Sequence, residues 1–370
     1  MELDSMTIAR ARLALRQAIR NHLFDPNVHM VSLGLPEKGG QIVEDELAIR
    51  FHVREKFSPI RLELALERGD TSSDLREPIK VGRFQFQTDI VQGRYRPHVW
   101  PWRRPWPNPA PSDPRAQPAA PLRGGIGISD EFHNAYGTLG AKVIDRASGA
   151  EMILSNWHVL VVEWRARPGQ RIYQPARGDG GAFADTVATL TRDVMSVNLD
   201  AAVATLTGAR ALINDQLDLG PLRGVGVPQL GMEVVKSGRR TGITYGRVID
   251  VLATARISYG TVDKIIRNVM SIEPRTSVEE VSGPGDSGSI WIDQATMQAV
   301  GLHFAGGNQP ERGLAMDIQS VLDALNVDLA TDRPRPAAIQ RVRPQAVPGF
   351  RAPAAAPSAA REVEEELVTR

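Results

Sequence analysis

A mainly β protein is predicted, in which a small α/β module precedes a strand-rich core of barrel or sandwich type. Three observations carry that prediction. From Gly124 to about Leu329, short apolar runs recur between glycine-rich turns, among them YGTLGAKVID, AEMILSN, LDAAVATLT, MEVVKSG, GRVIDVLATARI, NVMSIEP, GSIWID, QAVGLHFAG and GLAMDI. From Val28 to Gln92, three strand-like stretches (HMVSLGL, ELAIRFHVRE and KVGRFQFQTDIV) are interrupted by one helical one, RLELALER. Between these regions proline recurs too often for a helix or a central strand.

Residues 5 to 24 set Ile8, Leu13, Leu15, Ile19 and Leu23 among arginines at helical spacing, which predicts an amphipathic helix packed on its own domain. GLPEKGG lacks the Lys-Ser/Thr ending of a phosphate loop and reads as a hairpin turn. The helix and module occupy 1–96. Residues 97–123 read as a semi-rigid linker whose Trp100, Trp102 and Trp106 pack within the molecule, because three solvated tryptophans would invite aggregation. The strand-rich domain covers 124–329 and closes with a helix at IQSVLDAL. The Pro-, Ala- and Arg-rich tail, 330–370, has no apolar periodicity to offset its ordering entropy and is expected to be disordered, with REVEEELVTR able to become helical on a partner.

Composition narrows the function. A net charge of +1 over 370 residues gives no electrostatic footprint for a nucleic-acid binder. With no cysteine there is no disulfide, thiolate metal site or cysteine nucleophile. Seven scattered histidines without HExxH spacing support no metal site, and no cofactor motif is present. Charges throughout the first 24 residues leave neither a signal-peptide core nor a membrane span, so a cytoplasmic protein without membrane contact is expected.

The chemistry gathers around SGPGDSGSIW, residues 282–291. Its glycines permit a tight turn in which backbone N–H groups can face a ligand, and Ser287 sits inside it. A serine hydroxyl needs a base to become a nucleophile. His158, in MILSNWHVLVVEW, ends one strand-like run and precedes another; Asp200, in SVNLDAAVATLT, stands just before an apolar run and can orient the imidazole. Asp193 is a rival acid, but RDVMS lacks the small-residue run that follows Asp200.

These segments resemble a known family. SNWHV, NLDAAVA and GPGDSGS are similar to the three signature segments of trypsin-like serine peptidases of the chymotrypsin fold, in that family's His, Asp, Ser order; VKSGRRTGITYGRV resembles a strand of bacterial members such as alpha-lytic protease and the streptogrisins, and VGLHFAGG is similar to a stretch of the glutamyl endopeptidases. The resemblance covers about the central 200 residues and implies a two-barrel fold. It implies a catalytic triad of His158, Asp200 and Ser287, with the N–H groups of Gly285 and Ser287 as the oxyanion hole. It also implies that Arg239 pairs with the buried Asp286, Arg240 being the neighbouring candidate. VGLHFAGG would line the primary pocket and pair with substrate backbone through His303, Phe304, Ala305 and Gly306. His303 then either contacts an acidic substrate side chain or is a buried structural histidine. Glu279 or Glu280 could instead favour a basic residue, unless both are solvated. LRGGIG, at 122–127, resembles an activation site and leaves zymogen processing open.

The expected function is therefore peptide-bond hydrolysis through an acyl-enzyme, on protein or peptide substrates, with the N-terminal module restraining the activity or mediating a homo-oligomer or regulatory partner. The alternative is a catalytically silent protease-fold scaffold acting through that module. An esterase of the α/β-hydrolase type is disfavoured by the strand-rich text and the missing Ser, Asp, His order.

Overall fold

The computed structural model describes residues 5–97 and 113–331, apart from 163, 165, 277, 278, 309 and 310. Trp100, Trp102, Trp106 and the expected disordered tail from 332 lie outside the described residues. Two large sheets dominate, and the fold is mainly β. The first has eight strands, in the order Gly137–Thr138, Gly127–Asp130, Arg171–Tyr173, Thr186–Asp193, Ala202–Leu206, Glu151–Ser155, Ala141–Asp145 and Val327–Leu329. Alternation sets its faces: along Ala141–Asp145 every second residue is buried, Val143 among them.

The second sheet contains a closed ring. Glu233–Gly238, Ile290–Asp293, Ala299–Asn308, Glu311–Asp317, Val262–Pro274 and Gly242–Tyr259 pair in that order, and Gly242–Tyr259 pairs back onto Glu233–Gly238. Closure leaves the ring no free edge where all six strands run side by side. The helix Ile318–Leu325 follows, capped by the Asp317 carboxylate on the Ser320 N–H, and buries Ile318, Val321, Leu322 and Leu325.

The N-terminal segment does not stand apart as the sequence suggests. Val28–Gly34 pairs antiparallel with Gly242–Tyr259, setting Met30 opposite Ala255 and Leu33 opposite Val251. Ala48–Val53 and Thr88–Gln92 then extend the same sheet, the last two strands running parallel through the helix Pro59–Arg68. Every residue of Val28–Gly34 is buried, because the helix Ser5–His22 brings Ala11, Ala14, Leu15 and Ala18 into the same cluster as Val28, Val31 and Leu33. Polar residues at these buried positions pair across the junction: Arg50 bonds Asp250 at 3.1 Å and Asp89 at 2.9 Å, and Ser32 Oγ donates to Asp250 at 2.8 Å. Glu37–Lys38 and Gln41–Ile42 form the hairpin read in GLPEKGG.

The expected linker needs correction at its end. Pro114–Ala116 is a 3-10 turn, Arg115 bonds Asp218 at 2.7 Å, and Leu122–Gly124 pairs parallel with Leu212–Gln216. The apolar content of LRGGIG drives this: Leu122 and Ile126 are buried in the core, so the stretch is no exposed activation site.

Candidate active site

The strand Glu151–Ser155 ends at Asn156, and one helical turn, Trp157–Leu160, turns His158 inward, leaving it 5% exposed. Asp200 lies just before the strand Ala202–Leu206, which pairs with Glu151–Ser155. That pairing brings Asp200 to His158. Asp200 Oδ1 accepts the His158 backbone N–H at 3.1 Å, and Oδ2 meets His158 Nδ1 at 2.5 Å. Asn156 Nδ2 donates to the Asp200 carbonyl at 2.7 Å, and the Tyr259 hydroxyl donates to Asp200 Oδ2 at 2.7 Å. Asp200 is wholly buried, whereas its rival Asp193 is exposed and accepts only the Met195 N–H among the bonds found. His158 Nε2 is buried with no hydrogen-bond partner among the described residues.

Ser287 comes from the other sheet, in the turn before Ile290–Asp293. The turn rests on the first sheet: Thr138 N donates to the Ser287 carbonyl at 2.8 Å, and Thr138 Oγ1 to the Gly285 carbonyl at 2.9 Å. Ser155 Oγ, three residues before His158, donates to the Thr138 carbonyl. Gly288 has φ +96°, and a Cβ there would lie 2.2 Å from both Ser155 Oγ and the Thr138 carbonyl oxygen, so only glycine allows this approach. Gly285, at φ +113°, likewise abuts the Tyr136 ring. The Gly285 and Ser287 N–H groups find no acceptor among the described residues. Ser287 Oγ donates to the Phe304 carbonyl at 3.3 Å.

Asp286 corrects the expected pairing. Its carboxylate meets Lys236 Nζ at 3.0 Å, not Arg239, and accepts from the N–H groups of Arg240, Thr241 and Gly283 and from Thr241 Oγ1. Lys236 lies within the strand Glu233–Gly238, whereas Arg239 lies in the turn that follows it, where strand alternation no longer sets the direction of the side chain. Arg239 instead binds Asp179 through Nε at 2.9 Å and Nη2 at 2.5 Å, with Asp113 at 3.6 Å. Burial pushes the Asp286 carboxyl up, but the Lys236 ammonium and the hydrogen bonds outweigh it and hold the carboxyl well below the usual range. Burial lowers Lys236, with Asp286 opposing.

His303 is fully buried, and Trp291 Nε1 donates to its Nδ1 at 3.2 Å. Phe304, Ala305 and Gly306 continue the same strand past Ser287, whereas Glu279 and Glu280 are exposed. The sequence reading missed Lys236, Tyr259, Thr138 and Asp179. Lys236 left a signal, a lone cation inside the apolar run MEVVKSG; Tyr259, 59 residues from Asp200, left none.

No protein-family model matches the chain, and no curated protein matches it. Among solved structures, Protease A of Thermobifida fusca is 18% identical with a TM-score of 0.44, over 57% of this chain and 100% of that one. Nocardiopsis protease is 21% identical with a TM-score of 0.43 over 57% and 100%, and Cellulomonas bogoriensis chymotrypsin 17% with 0.42 over 57% and 98%. The chain is similar to bacterial proteases. Among the described residues, no helix is long and apolar enough to cross a membrane, and no group of three or more His, Asp or Glu could hold a metal ion.

Proposed function

We propose that the protein is a serine endopeptidase acting through His158, Asp200 and Ser287. The observation that carries this reading is the buried His158–Asp200 pair, whose outer nitrogen, Nε2, is left without a partner while the Ser287 turn packs against the strand leading into His158. In the reaction the Ser287 hydroxyl leaves the Phe304 carbonyl and turns toward Nε2. His158 takes its proton as Oγ attacks the substrate carbonyl, then gives it to the leaving amine; water enters by the same route and hydrolyses the acyl-enzyme. Asp200, bonded also to Tyr259, fixes the tautomer and stabilises the imidazolium. The unused N–H groups of Gly285 and Ser287 receive the oxyanion, each such donor typically contributing about 3 kcal/mol to the transition state. Lys236 neutralises Asp286, so formation of this turn needs no freed N-terminus.

The buried Trp291–His303 bond favours a structural role for that histidine over contact with an acidic substrate side chain. The test is a fluorophosphonate probe followed by intact-mass spectrometry. One adduct is expected on the wild-type chain and none on Ser287→Ala, with peptide hydrolysis falling about 10⁴-fold or more in that variant. Equal labelling of both proteins, or hydrolysis surviving the substitution, would sink the assignment.

A further inference from the structure

Along one edge of the strand Ala299–Asn308 the partners change in order. Leu302 opposes Ile290; His303 bonds Ser289 and Gly288 through its backbone; the Phe304 carbonyl accepts Ser287 Oγ. Ala305 then opposes Pro97, and Gly306 opposes Arg96. The other edge is already taken by Glu311–Asp317. The backbone running past the candidate nucleophile is therefore covered by the chain's own Arg96–Pro97. Pairing is antiparallel, so this segment runs N to C toward Ser287. That is the polarity the acyl part of a peptide needs if its carbonyl is to meet the serine hydroxyl.

The segment is fastened firmly. The Arg94 carbonyl oxygen lies 2.3 Å from where a Cβ would stand on Gly307, an approach that only glycine permits. Tyr95, next in line, is buried with its hydroxyl 2.9 Å from His52 Nδ1 and its ring edge-on to His29 at 5.2 Å. His52 belongs to the Arg50–Asp250–Ser32 cluster that joins the N-terminal strands to the ring. Arg96 itself is exposed and Pro97 half-buried, so neither is a core residue.

We propose that Arg94–Pro97 is an internal occupant of the acyl-side peptide strand, held there by Tyr95, and that an external extended peptide must displace it to reach Ser287. This rests on the peptidase reading. An occupant of this kind lowers apparent affinity by the fraction of molecules in which the edge is open.

The experiment compares the full chain with two variants, Arg96→Gly combined with Pro97→Gly, and Tyr95→Phe, which removes only the hydroxyl bond to His52. A tetrapeptide anilide series reports hydrolysis, amide hydrogen exchange at Gly306, which opposes Arg96, reports docking, and fluorophosphonate labelling reports the nucleophile. The proposal expects tetrapeptide kcat/KM to rise at least about tenfold in the double variant, mainly through KM, with faster exchange at Gly306 and a smaller shift of the same sign in Tyr95→Phe. Unchanged hydrolysis and exchange in proteins that all label at Ser287 would overturn the internal occupant and leave the peptidase intact. Labelling in none of the three would overturn the peptidase and the occupant together.

Discussion

Asp286 sits beside Ser287 with no solvent exposure, and a carboxylate there is tolerable only because Lys236 and four N–H or O–H donors surround it. Lys236→Met removes the ammonium that meets it among the described residues and is expected to cost about 3–5 kcal/mol in chemical denaturation, with loss of the proposed hydrolysis as the Ser287 turn relaxes. A variant as stable and active as wild type would contradict the pairing. Tyr259→Phe is gentler: Asp200 keeps His158 and loses one hydrogen bond, so kcat/KM should fall about tenfold, near 1.4 kcal/mol, with little change in KM. That His158 and Asp200 belong together was legible in the sequence, because each stood at a distinctive junction of apolar run and turn, and the structure pairs them. Which cation meets Asp286 was not, since Lys236 and Arg239 stand three residues apart in one short stretch and only the end of the strand at Gly238 separates them.

At the level of strands, Val28–Gly34 and Ala48–Val53 carry two histidines whose burial has a measurable effect. Burial lowers His29 from 6.5 to about 3, and it lowers His52 as well, against the pull of Asp250. Both are neutral in the fold at neutral pH. As pH drops below 6.5 the unfolded chain takes up a proton that folded His29 refuses, so the stability His29 contributes is lost as pH falls toward about 3. At about pH 5 that one residue should cost roughly 2 kcal/mol relative to neutral pH. Asp250 and Asp286, whose carboxyls are held low, lose their contribution only below 3.8 and so act in a separate, more acidic range. Urea midpoints measured across pH 7.5 to about 5 should show the loss in the wild type and a flatter profile in His29→Gln; parallel profiles would contradict it. The strands and helices themselves were readable from periodicity and turn residues. Their partners were not: nothing in HMVSLGL names GRVIDVLATARI, over two hundred residues away, as the strand it pairs with.

For the molecule as a whole, the shared sheet makes the described residues one cooperative body. Calorimetry of the full chain should give a single main unfolding transition, and two well-separated transitions would contradict it. A chain starting at Gly124 loses one of the strands paired with Gly242–Tyr259 and the N-terminal cluster against which Leu252 and Ile265 pack, so it is expected to aggregate or unfold well below the full chain's melting temperature. The sequence suggested a boundary near residue 96 because proline and tryptophan punctuate the text there, yet punctuation marks a change in local backbone preference and does not report hydrogen bonds made across it. Gly242–Tyr259 also does something no boundary reading could anticipate. At its start, Thr241 grips Asp286 beside Ser287; at its end, Tyr259 bonds Asp200, the partner of His158. Eighteen residues laid straight would reach about 60 Å, but the register shifts around Asp250 and Ala253 and the left-handed Leu252 bend the strand along its course. The strand is thus a bent gauge, and a single residue added or removed along it would have to shift the spacing between the Asp286 and Asp200 that its two ends hold.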